Sequence, residues 1–189
     1  RDPALGLGLQ ERDDVAAVFA LADAYRKGRG PRTEGAAVMF LPSTSLRTRV
    51  TFERGADLMG LQPILFPPET LDKPESLVDV AGYLANWAQL IVVRHPDIGL
   101  LERLAAGRRM PVINAMTSVN HPCEVLSDAY AFKQMRPDLR RLSFLFVGGD
   151  GNIVRAWQEL AGVLDLKLTQ CCPADLATPG LDWTDDLAV

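Results

Sequence analysis

Cysteine is scarce in this chain. Cys123, Cys171 and Cys172 are too few, and odd in number, for a disulfide framework, so a reducing cytoplasm is the expected setting. No apolar stretch approaches the roughly 18 residues of a membrane span, and the N-terminus lacks a signal-peptide core, which speaks against a membrane partner. Positive charge is not in excess: 20 Lys and Arg face 24 Asp and Glu, for a net charge of −4. Without a basic stripe no nucleic-acid partner is expected, and any arginine that acts on an anion must act locally. No His, Cys and Asp cluster has metal-ligand spacing, so neither a metal nor another cofactor is anticipated. Internal repeats and low-complexity segments are absent as well. What remains is an ordinary globular composition, 48% hydrophobic and 23% charged over 189 residues, enough for one large or two small domains.

Strand-like and helix-like segments alternate along it. Asp13 or Asp14 can cap a helix carrying Val15, Val18, Phe19 and Ala22 at helical spacing, with Gly28 as its stop. A strand at Ala36–Leu41 leads to a helix at about Leu46–Met59 ending at Gly60, then a short strand at Pro63–Phe66. Residues 67–74 carry three prolines and read as an exposed loop. A helix from Glu75, the unalternating β-branched run Leu90–Val93, a helix at about 98–107, a strand at Val112–Asn114 and a helix at Pro122–Met135 follow. Arg136-Pro137-Asp138 breaks the pattern. Leu142–Val147, Asn152–Val163 and Leu166–Cys172 then read as strand, helix and strand. The pattern predicts an α/β fold: a parallel sheet flanked by helices, and the start of a second α/β unit that the tail from Pro173 is too short to complete.

Chemistry is expected at the carboxyl ends of those strands. Residues 43–49, Ser-Thr-Ser-Leu-Arg-Thr-Arg, combine a strand end, a polar turn and a helix start. Free N–H groups and the helix dipole favour an anion there, and hydroxyl and guanidinium groups add charge-assisted hydrogen bonds. Arg94-His95-Pro96, His121-Pro122-Cys123-Glu124 and Gly148–Asn152 occupy three further strand ends. Each has a plainer reading, as a cap, a packed surface arginine or a structural histidine. Yet both histidines of the chain fall at such ends.

In order and spacing these segments resemble the aspartate/ornithine carbamoyltransferase family from about residue 10 to about 172. Ser45-Leu46-Arg47-Thr48-Arg49 resembles its phosphate motif and is followed by the usual Phe52-Glu53. Arg94-His95-Pro96 resembles its second arginine site in the aspartate-type wording, and His121-Pro122-Cys123-Glu124 its His-Pro-[Thr/Cys]-Gln motif. Lys73 to Asp79 is similar to the segment that, in the aspartate enzymes, lends a lysine to a neighbouring subunit. Gly149-Asp150-Gly151-Asn152 is similar to the turn that opens the amino-acid domain.

The resemblance implies carbamoyl transfer from carbamoyl phosphate to an amino group of an amino acid, in a homotrimer with shared sites. Ser45, Leu46, Arg47, Thr48, Arg94, His121, Glu124 and a neighbour's Lys73 would bind carbamoyl phosphate. Arg94, His121 and Thr48 would donate to the carbonyl oxygen as its charge grows, while Arg49 takes a structural pairing. It divides the chain into a carbamoyl-phosphate domain, 1–136, and an incomplete amino-acid domain, 137–189. Gly-Asp-Gly-Asn leans to the ornithine branch and arginine biosynthesis, whereas Arg-His-Pro and Lys73 pull toward aspartate. A less common amine, or a relative that binds without turnover, are the alternatives. Two residues depart from the pattern: Glu124 stands where the family has Gln, and Ile153 where ornithine enzymes have a second Asn. Asn152 and Arg155 are the remaining candidates for the second substrate. A later His-Cys-Leu-Pro or His-Pro-Leu-Pro segment of the family is not in the sequence.

Overall fold

The computed structural model describes residues 11–187. Strand β1 (Gly35–Phe40) is buried along all but its first residue, as an interior strand of a parallel sheet should be. It pairs in parallel with β2 (Leu61–Phe66) on one side and β3 (Leu90–Arg94) on the other, and β4 (Val112–Met116) lies outside β3. The order is β2-β1-β3-β4. Side-chain alternation along β1 feeds two cores. Val38 and Phe40 pack with Ile91 and Val93 against α3 (Leu77–Leu84) and α4 (Ile98–Ala106). Ala37 and Met39 pack with Val92 and Ala115 against Ala56 of α2 (Leu46–Met59). Helix α2 has the bounds expected from sequence. Its stop, Gly60, is at φ +86°, and a Cβ there would sit 2.2 Å from the Thr33 carbonyl oxygen, so glycine is required twice over.

A second parallel sheet, in the order β5-β6-β7, comprises β5 (Ser143–Val147), β6 (Lys167–Cys171) and β7 (Trp183–Thr184). Its core brings Leu168 together with Trp157 and Leu160 of α6 (Asn152–Leu164) and with Val125 and Ala129 of α5 (Pro122–Met135). Val15 and Phe19 of α1 (Arg12–Arg26) join the same core. Helix α1 thus packs with elements more than a hundred residues later. Among the described residues no helix is long and apolar enough to cross a membrane.

Two local expectations are corrected. Residues 67–74 are not simply an exposed loop: Pro68–Asp72 forms a 3-10 turn that buries Pro68 and Leu71. Proline suits the first position of such a turn because its φ is already set and its missing N–H is not needed. The N-cap of α1 is Glu11 rather than Asp13 or Asp14, and the Glu11 N–H donates to Asp14 Oδ2 at 3.2 Å.

Candidate active site

The carboxyl ends of β1, β3 and β4 open onto one crevice of about 1080 Å³. Ser45, Leu46, Arg47 and Thr48 line it from the start of α2, Arg94 from the end of β3, and His121 and Glu124 from the start of α5. The structure therefore brings together seven of the residues singled out from sequence. Ser45 occupies the N-cap of α2 but makes no side-chain capping bond, which leaves its hydroxyl for the crevice. The Leu46 N–H donates to the Thr44 carbonyl at 2.9 Å, and the regular ladder resumes with Arg49 N–H to the Ser45 carbonyl at 2.9 Å. Between them the Arg47 and Thr48 N–H groups have no backbone acceptor among the described residues, the usual condition of a first helical turn.

Arg94 sits where the β3–β4 register shifts, between Val93 and Arg94. Its Nη1 donates to Thr48 Oγ1 at 2.8 Å. The Thr48 hydroxyl, accepting that bond, keeps its own hydrogen to donate. Arg47 is exposed to the crevice, whereas Arg49 turns back along the helix and pairs through Nε with Glu53 Oε1 at 3.3 Å. His121 Nε2 lies 3.5 Å from Glu124 Oε2, and its Nδ1 is buried without a partner. Burial holds the imidazole below its ordinary pKa; Glu124 opposes that shift and Arg94 adds to it. Near neutral pH the ring is therefore uncharged, a hydrogen-bond donor through one nitrogen only.

Beside the expected residues, Ser127 and Asp128 also line the crevice. They stand three and four residues after Glu124, so helical spacing alone places them on its face. Desolvation, and then the Glu124 charge, raise the pKa of Asp128. The crevice is thus cationic and hydroxyl-rich along α2 and β3, and acidic along α5. Cys123 faces it too, its thiol donating to the Asn114 carbonyl at 3.3 Å. Burial, helped by Glu124, pushes that thiol up to about 11. Alkylation of Cys123 by iodoacetamide is accordingly expected to remain slow up to roughly pH 9, because only the thiolate reacts. Peptide mass mapping would report it, and rapid labelling at neutral pH would contradict the raised thiol pKa.

Other expected residues lie elsewhere. Lys73 lines a separate cavity of about 470 Å³ together with His95. His95 accepts the Asp97 N–H at Nδ1 (3.1 Å), which leaves its proton on Nε2, 3.2 Å from Asp72 Oδ1. It is a tie between β3 and the 3-10 turn, not part of the crevice lining. At the start of α6 it is Ile153 that lines the crevice. The neighbouring Asn152 donates through Nδ2 to the Thr117 carbonyl at 2.8 Å, and Arg155 pairs with Asp150. Among the described residues no group of three or more His, Cys, Asp or Glu could hold a metal ion.

A crevice of this kind, at the carboxyl edge of a helix-covered parallel sheet, defines an α/β protein with its binding site at the strand ends. Residues 5–134 match the family model described as aspartate/ornithine carbamoyltransferase, carbamoyl-P binding domain, and the chain belongs to that family. It is 32% identical over 146 residues to the ornithine carbamoyltransferase of Chromobacterium violaceum, covering 76% of this chain and 48% of that enzyme. To the ornithine carbamoyltransferase of Chlorobaculum tepidum it is 35% identical over 137 residues, 71% of this chain and 40% of that enzyme. The crystal structure of the Thermus thermophilus ornithine carbamoyltransferase superposes with a TM-score of 0.82 at 25% identity, covering 93% of this chain and 66% of that one. The chain spans about half the length of the two relatives compared by sequence.

Proposed function

We propose that the crevice binds carbamoyl phosphate and that the protein transfers the carbamoyl group to an amino group of an amino acid, ornithine or a derivative, releasing phosphate. The observation that carries this reading is the meeting of Ser45, Arg47, Thr48, Arg94 and His121 around one crevice, within the segment that matches the family's carbamoyl-P binding domain. The phosphate lies against the first turn of α2, held by Ser45, Arg47, Thr48 and the open N–H groups. Arg94, Thr48 and the neutral His121 donate to the carbonyl oxygen. As the amine nitrogen bonds to the carbonyl carbon, negative charge grows on that oxygen, and preorganised donors stabilise it. The bond between the carbonyl carbon and the bridging oxygen then breaks, that oxygen and its electron pair leave with the phosphate, and the departing phosphate takes the amine proton. Glu124 accepts from the carbamoyl NH2, as a carboxylate can.

The amine approaches from the start of α6, past Ile153, with Asn152 and Arg155 nearby; Arg155 must leave Asp150 to take part. Residues 1–136 form the carbamoyl-phosphate domain and 137–189 the opening of the acceptor domain. The working protein is a cytoplasmic homotrimer in arginine biosynthesis, with Lys73 serving a neighbouring subunit's crevice. Phosphate release from carbamoyl phosphate, measured with a panel of amines, tests the reading: ornithine or a close derivative should accelerate it. If carbamoyl phosphate raises the melting temperature but no amine accelerates release, the protein is a binding relative and the enzyme reading is wrong.

A further inference from the structure

The turn that delivers His121 is built from buried polar groups. Thr117 and Asn120 are 0% and 1% exposed, and Asn114 on β4 is 9% exposed. Asn114 Nδ2 donates to Asn120 Oδ1 at 2.7 Å, the Thr117 N–H to the Asn120 carbonyl at 2.9 Å, and the Asn120 N–H to Thr117 Oγ1 at 3.1 Å. Buried polar groups need protein partners: the Ser118 N–H donates to the Pro96 carbonyl at 3.0 Å within the first unit, and two further partners come from α6. Asn152 Nδ2 donates to the Thr117 carbonyl at 2.8 Å, and Asn120 Nδ2 reaches Glu159 Oε1 at 3.5 Å. Asn152 and Glu159 are seven residues apart on α6, about two turns, so both lie on one helix face. Neither lines the crevice, and His121 follows Asn120 directly as the N-cap of α5.

We propose that the Asn152–Glu159 face of α6 is a clasp that positions His121, with Glu159 acting through Asn120 and Asn152 through Thr117. Both are positioning residues, and they make the second sheet's helix set the donor geometry of the first sheet's crevice. The hydrogen-bond inventory agrees. Glu159 Oε2 and Asn114 Oδ1 are buried without partners, so the network has spare acceptors and is short of donors. Burial raises the Glu159 pKa, against the opposing bond from Asn120, which fits a side chain placed there for hydrogen bonding rather than for charge. A carboxamide at 159 keeps the acceptor for Asn120 and adds two donors.

Two histidines make the test direct, because His95 and His121 can be followed together by NMR in the full protein. His95, tied to Asp72 and Asp97, serves as the internal control. Glu159→Met removes the acceptor with little change of volume, Asn152→Ala removes the other bond, and Glu159→Gln is the conservative rescue. In Glu159→Met and Asn152→Ala the ring signals of His121 should move or broaden. Its titration midpoint should rise toward the ordinary imidazole value as the ring becomes hydrated, with Glu124 and Arg94 still the charges that face it. His95 should not change, and Glu159→Gln should match the parent. Carbamoyl phosphate affinity should fall by about tenfold in the first two variants, the scale of a loosened supporting shell. Unchanged His121 signals and midpoint in both, with only a lower melting temperature, would overturn the clasp. Should Glu159→Met fail to fold, Asn152→Ala against the parent decides. The affinity arm rests on the carbamoyl phosphate reading and the histidine arm does not: a parent that binds no carbamoyl phosphate refutes that reading, while the His121 signals still judge the clasp.

Discussion

Arg47→Ala is expected to lose carbamoyl phosphate binding by about a hundredfold, whereas Arg49→Ala binds nearly as the parent does and is slightly less stable. The two arginines are two residues apart on α2, and positions so spaced point away from one another. Arg47 faces the crevice, and its guanidinium pairs with no carboxylate among the described residues. Removing a charged hydrogen-bond partner of a dianion costs about 2–3 kcal/mol, which is roughly 30- to 150-fold in affinity. Arg49 instead holds Glu53 across one helical turn, and both side chains are 36% exposed. A pair so exposed is largely screened by solvent, and about 0.3–0.5 kcal/mol of stability is the most its loss should cost. Calorimetric titration with carbamoyl phosphate and a thermal melt of each variant measure the two effects. Equal loss of binding in both, without destabilisation of either, would contradict the division of roles.

That the two arginines point apart could be read from the chain because local rules governed it; giving the anion to Arg47 follows the family resemblance. Ser45 before α2 and Gly60 after it mark the helix, and 3.6-residue periodicity assigns its faces. The parallel strands were equally legible, since Leu90–Val93 has no polar alternation, as is typical of a buried parallel strand, and Ile91, Val92 and Val93 are buried. Ser127 and Asp128 belong to no motif, and only their offsets from Glu124 place them on the crevice side of α5. The place of α1 was not legible. Val15 and Phe19 announce an apolar face, but periodicity names no partner for it, and the partners are Val125, Trp157 and Leu168. Nor could the chain reveal that Asn152, at the start of α6, is spent on the Thr117 carbonyl while Ile153 meets the crevice. The 3-10 turn at Pro68–Asp72 was hidden by its prolines, which mark a chain reversal without saying that Pro68 and Leu71 are packed.

The second large effect is expected at Arg94. Its guanidinium stands at the end of β3 and donates to Thr48 Oγ1, so under the proposed function Arg94→Ala removes one donor to the developing oxyanion and frees another to rotate. Loss of a single such donor lowers turnover by about 10²- to 10³-fold, and Arg94→Ala should fall at the upper end of that range. A Thr48→Val change added to it should cost little more, because the two side chains act as one unit. Lys73→Ala should also be nearly inactive under the proposed sharing of sites, yet for a different reason: Lys73 lies on the cavity beside His95, away from its own chain's crevice. The two inactive variants therefore complement each other. After unfolding and joint refolding of equal amounts, a crevice with Arg94 from one chain and Lys73 from another arises by random assortment at about a quarter of the sites in a cyclic assembly. About that fraction of the parent's turnover should return, and tagged subunits would verify the exchange. Activity that stays at the level of the separate variants, despite proven exchange, would mean that Lys73 serves its own subunit or none. The Arg94 loss would then stand alone as evidence for the oxyanion role.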